Sequence, residues 1–134
     1  MKTIKISILA LTFGLMSFNT ISKTENQTVK TVMVNPISWK SEIIDVGEIP
    51  QNKPKAIDYE FKNNGKTAVL ITNVHGSCGC TATDYTKTLI QPGETAKVTA
   101  TFNAANKGAF TKTVTVTTNA VETPTVLTFK GTVI

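Results

Sequence analysis

Apolar and polar residues alternate one for one along much of this chain. Ile57, Tyr59 and Phe61 alternate with Asp58, Glu60 and Lys62, which predicts a strand with its aromatics on one face and its charges on the other. Val98, Ala100 and Phe102 alternate with Lys97, Thr99 and Thr101 in the same way. Phe110, Val114 and Val116 share one side of a run that continues to Thr118, and Leu127 and Phe129 face inward from the final segment, Thr125 to Ile134. Nowhere does an i, i+3, i+4 stripe persist for three turns, so helix is excluded as a major element. Turn chemistry separates the runs. Asn63-Asn64-Gly65-Lys66 predicts a hairpin leading into a strand over Ala68 to Val74, because Asn-Gly tolerates the positive φ of a tight primed turn. A looser stretch runs from the segment His75 to Thr81 on to Ile90, and Pro92-Gly93, Asn106-Lys107-Gly108 and Asn119 to Pro124 mark further turns. About seven strands at a spacing of roughly ten residues predict an all-β fold, an immunoglobulin-like antiparallel sandwich.

The first 22 residues follow a different pattern. Lys2 and Lys5 precede an apolar run from Ile6 to Phe18, and the chain turns polar at Asn19 and Thr20. This is the pattern of a cleavable export signal, and the run is short of the roughly 20 residues that cross a bilayer. Cleavage after Ser22 is expected, leaving an arm over residues 23–35 and a sandwich domain over 36–134. No cysteine lies in or just after the leader, so the thioether lipid of a bacterial lipoprotein has no attachment point. The expected product is soluble and periplasmic or extracellular.

Composition narrows the picture further. With 40% hydrophobic and 17% charged residues, the chain is too apolar for a disordered tail and too polar for a multi-span membrane protein. The twenty-four threonines suit half-exposed pleated surface, where a stiff β-branched side chain is an advantage. The net charge of +5 falls to +3 once Lys2 and Lys5 leave with the leader. All fourteen basic residues are lysines scattered along the chain. Without the arginine fork or a basic cluster, nucleic acid is not an expected partner.

Cys78-Gly79-Cys80 is the one place where reactive groups are close in sequence. An even cysteine count in an exported protein favours a disulfide. In a straight strand two steps cover about 6.6 Å, near the outer limit of about 6.8 Å for bridged Cα atoms. The chain must therefore bend, and Gly79 is the residue expected to permit it. A second reading is metal binding: two thiols and the nearby His75 suit Cu(I), or Zn with one more ligand. A third is thiol-disulfide exchange, with His75 and Lys87 as the nearby cations that would favour a thiolate. Two small buried residues that simply pack are a fourth.

Other chemistry is thinner. His75 is the sole histidine, and Ser77 beside it sits in no strand-to-helix elbow, so a serine nucleophile lacks its usual setting. Asp58 and Glu60 lie on the charged lane of one strand, where solvation is the ordinary role. Trp39 is expected at an edge or in the core. No catalytic residue is assigned. The expected function is an exported, non-enzymatic binding or structural module that contacts another envelope or extracellular protein, or a surface polymer, through loops or an exposed strand edge.

In order along the chain stand Asp45-Val46-Gly47-Glu48-Ile49, Phe61-Lys62-Asn63-Asn64-Gly65, Ser77-Cys78-Gly79-Cys80-Thr81, Ile90-Gln91-Pro92-Gly93-Glu94, the Gly108-to-Thr118 strand and the Gly131-Thr132-Val133 ending. In these the sequence resembles the bacterial domain-of-unknown-function 1573 family, an immunoglobulin-like group in the neighbourhood of PapD-type domains. The resemblance covers about residues 36–134, and it implies an exported sandwich without naming a ligand. His75 lies outside the motifs that carry it.

Overall fold

The computed structural model describes Gly14 and residues 35–134. The expected leader, and all of the expected arm except Asn35, lie outside the described residues, Gly14 aside. Eight strands follow in order: β1 Ile37–Trp39, β2 Ile43–Ile49, β3 Lys55–Asn63, β4 Ile71–Gly76, β5 Thr81–Tyr85, β6 Thr95–Phe102, β7 Gly108–Thr118 and β8 Thr125–Val133. They form two four-stranded sheets, sheet A in the order β1-β3-β6-β5 and sheet B in the order β2-β8-β7-β4. The fold is thus an all-β, immunoglobulin-like sandwich. Pairings are antiparallel except that of β2 with β8, which is parallel.

The alternation read from the sequence is the alternation of burial. Ile57, Tyr59 and Phe61 of β3, Val98, Ala100 and Phe102 of β6, Val114 and Val116 of β7, and Leu127 and Phe129 of β8 are all buried between the sheets. Phe102, Phe110 and Phe129 stack as a cluster with centroids 4.5 to 6.1 Å apart. Trp39, half-buried on the edge strand β1, packs against Phe61 at 4.8 Å.

Strand count and connectivity differ from the sequence reading. The stretch read as loose contains β5, whose residues Thr81 to Tyr85 carry no repeating apolar side chain to announce it. Asn63 to Lys66 makes no hairpin: β3 and β4 belong to different sheets, so this segment is a crossing. The strand after it runs from Ile71 to Gly76, a few residues later than expected, and an isolated bridge pairs Val69 with Ile90. Among the described residues, only β5–β6 and β7–β8 are successive strands that pair with each other. The Pro92-Gly93 turn forms as expected, with Gly93 at φ 86° and the Glu94 N–H donating to Gln91 O at 2.9 Å.

Candidate functional site

The β4–β5 crossing carries the cysteine pair. Residues 77–80 leave the end of β4 in sheet B and deliver the chain to β5 in sheet A. Cys78 and Cys80 are joined as a disulfide with Cα atoms 5.2 Å apart, so the segment is bent rather than extended. A bond closing so short a loop restricts the unfolded chain little, by about 1.6 kcal/mol on loop-entropy grounds.

Hydrogen bonds hold this crossing independently of the sulfurs. The Ser77 N–H donates to Thr113 O at 2.9 Å, and the Thr113 N–H donates to Ser77 Oγ at 3.2 Å. The Asn103 N–H donates to Cys80 O at 3.0 Å, and the Thr83 hydroxyl reaches Val74 O at 3.3 Å. Both sulfurs are half-buried, and both lie near the Thr81 hydroxyl, Cys78 Sγ at 3.8 Å and Cys80 Sγ at 3.9 Å. Gly79 is exposed, its φ is not in the left-handed region, and a Cβ built on it would meet nothing within 4 Å. The bend therefore does not depend on glycine, contrary to the sequence expectation.

Cys80 also opens onto a cavity of about 170 Å³ whose lining includes Phe102, Asn103, Lys107, Phe110 and Lys112 and no carboxylate. Lys112 is the residue that sequence reasoning passed over. It stands on the same lane of β7 as Phe110 and Val114 and is paired in register with the buried Phe129. A charged residue on a core-facing lane lays its methylenes along apolar surface and extends its ammonium past the rim. Among the described residues no ion pair neutralises Lys112. The signal was present in the sequence as a lysine interrupting an apolar period-2 lane.

His75 does not join the pair. It is exposed on β4, paired in register with Thr115, and among the described residues no group of three His, Cys, Asp or Glu side chains is placed to hold a metal ion. Lys87, the other expected cation, pairs with Asp84 at 3.7 Å. Ser77 has its oxygen engaged by the Thr113 N–H. Asp58 lies 2.9 Å from Lys97 Nζ and accepts from the Thr99 hydroxyl at 2.7 Å, and these bonds hold its carboxyl below the usual carboxylate range. Glu60 sits 3.5 Å from Lys40 Nζ. Burial pushes Tyr59 up to about 12, so it is a neutral core residue at any ordinary pH. The side chains of Ser77, Lys87, Asp58 and Glu60 are thus engaged in surface ion pairs and backbone bonds.

Among the described residues no helix is long and apolar enough to cross a membrane. Several solved structures share the fold. A protein of unknown function from Porphyromonas gingivalis W83 superposes with a TM-score of 0.62 at 12% identity, over 72% of this chain and 46% of that one. This chain therefore spans less than half of that protein. The ASH/PapD-like domain 7 of human CEP192 matches with a TM-score of 0.62 at 12% identity, over 75% of this chain and 86% of that domain. The VesB protease of Vibrio cholerae matches with a TM-score of 0.59 at 14% identity, over 74% of this chain and 32% of the protease. At such identities the likeness is one of fold alone. No curated protein matches the chain in sequence. The model of the family described as "Protein of unknown function (DUF1573)" matches residues 37–133, from the first residue of β1 to the last of β8, and the chain belongs to that family.

Proposed function

We propose that the domain works outside the cytoplasm as a binding module that holds another envelope or extracellular protein along a strand edge of sheet B. Export is supported by the charged and then apolar pattern of the first 22 residues. The observation that carries the binding reading is Ile43. It is 64% exposed at the start of β2, one of the two edge strands of sheet B among the described residues. An outer strand offers unpaired backbone groups to an incoming strand, and an exposed apolar side chain on it adds affinity. Val126, 53% exposed on the adjacent β8, lies two residues from Thr128, the register partner of Ile43.

The test is a binding titration of envelope extract against immobilised domain. Saturable capture of a protein that Ile43→Lys weakens by roughly tenfold is expected, because a lysine on an edge strand opposes strand addition. Leu89→Lys, at a residue 54% exposed outside the strands, should leave capture unchanged. Capture indifferent to Ile43→Lys, or capture of a polysaccharide instead of a protein, overturns this reading.

A further inference from the structure

We infer that the Cys78–Cys80 bond is an exchangeable link through which the domain captures a partner protein carrying a cysteine among acidic residues, with Cys80 the sulfur attacked and Cys78 the sulfur released. This deepens the binding-module reading by giving the partner a chemistry, and it rests on that reading only for the partner's existence.

The approach to the disulfide is asymmetric. Cys80 lines the cavity beside Phe102 and Phe110, whereas Cys78 is not part of its wall. A thiolate entering there meets Cys80 first. Lys107 and Lys112 are the charged residues of that lining, so the entrance attracts the anionic thiolate over the neutral thiol and favours a cysteine whose neighbours are acidic. Lys112 gives this argument its weight. It stands on an inward lane, no ion pair engages it among the described residues, and it shares with Cys80 the lining of this cavity.

The step is an exchange and needs no outside oxidant. The partner thiolate forms a bond to Cys80 Sγ, the Cys78–Cys80 bond breaks, and the electron pair leaves on Cys78 Sγ. The Thr81 hydroxyl, 3.8 Å from Cys78 Sγ, is placed to donate a hydrogen bond to that thiolate. The crossing does not unravel when the bond opens, because the hydrogen bonds from Ser77, Thr113 and Asn103 hold both of its ends. At the apex, the exposed Gly79 has open space around it and leaves room for a partner chain.

The test uses the oxidised mature protein and two synthetic peptides, each with one cysteine, flanked by glutamates in one and by lysines in the other. After acid quenching, peptide mapping should place the mixed disulfide on Cys80, and the acidic peptide should react roughly tenfold faster than the basic one. A Lys107→Glu, Lys112→Glu double variant, its fold checked by circular dichroism, should abolish or reverse that preference. An adduct chiefly on Cys78, equal adducts on both sulfurs, or a disulfide untouched by excess peptide overturns the proposal. Single-thiol variants give an independent reading: with oxidised glutathione, Cys78→Ser should form its adduct at Cys80 faster than Cys80→Ser forms one at Cys78, and equal or inverted rates overturn it. None of these measurements involves Ile43 or an envelope extract, so failure here is distinct from failure of the edge-docking reading.

Discussion

The β3–β4 and β4–β5 crossings do the same mechanical task with opposite chemistry. Both carry the chain from one sheet to the other. At the first, the turning residue is Asn63, fully buried. Its side-chain amide donates to Thr67 O at 2.8 Å and to Ile90 O at 2.9 Å, and its oxygen accepts from the Gly65 N–H at 2.9 Å. Its backbone joins the Pro-Gly turn, donating to Glu94 O and accepting from the Gly93 N–H. At the second, the added link is a covalent bond between half-buried sulfurs, in a segment whose backbone bonds already hold it. The weaker bonds are therefore the indispensable ones. A buried amide that satisfies three partners is costly to remove, whereas a disulfide spanning so short a loop adds little to stability and is free to serve in chemistry.

Asn63→Ala breaks that contrast most severely. It leaves Thr67 O and the Gly65 N–H without their side-chain partners and opens a small void, and a loss of about 3 kcal/mol is expected. Urea unfolding monitored through Trp39 measures it. Gly65→Ala comes next. A Cβ there would stand 2.9 Å from Pro36 Cβ and 3.2 Å from Asn63 Oδ1, so a rigid ring or the amide itself must shift, at about 1 to 2 kcal/mol. Wild-type stability in both variants would mean that the polar corner is as dispensable as the covalent one.

The inward face of β3 is legible in the sequence as far as Asn63. The alternation Ile57, Tyr59, Phe61 continues without a break to Asn63, and that lane predicts a buried asparagine in place of an exposed hairpin tip. Asn-Gly chemistry is a local signal, and here the inward lane overrode it because a buried amide that finds three partners outweighs a turn preference. The same reasoning applies to Lys112, whose place between Phe110 and Val114 marks it as inward in the sequence itself. What no periodicity could supply is which strands pair, since the parallel partnership of β2 with β8 joins segments from opposite ends of the domain. β5 was hidden for another reason. Its inward residue Thr81 and its mixed neighbours draw their order from pairing along β6, not from their own pattern.

Removing the disulfide should cost less than either change at the polar corner. The double variant Cys78→Ser, Cys80→Ser is expected to unfold about 1 kcal/mol more easily than the oxidised protein, within the loop-entropy ceiling of about 1.6 kcal/mol. Chemical reduction of the native protein should give the same shift, with an unchanged dependence on urea concentration. A loss as large as that of Asn63→Ala would make the bond a structural staple and erase the distinction between the two corners.

The smallest effect is expected at Gly79, and its sign is the informative part. Glycine between two bonded cysteines looks indispensable, as the residue that lets the chain bend. Yet its φ is not left-handed and a Cβ would find open space, so alanine fits the folded turn without strain. Alanine also has fewer conformations to lose on folding, and at a compatible position that gain is about 0.4 to 1 kcal/mol. Gly79→Ala should therefore leave the protein as stable as before or up to about 1 kcal/mol more stable, in contrast to the destabilisation expected from the same substitution at Gly65. If Gly79→Ala leaves stability intact but slows the reaction with the acidic cysteine peptide, the demand for a small apex comes from the approaching partner rather than from the fold. A loss above about 1 kcal/mol would instead show that the turn itself requires glycine and that the two corners obey the same steric rule.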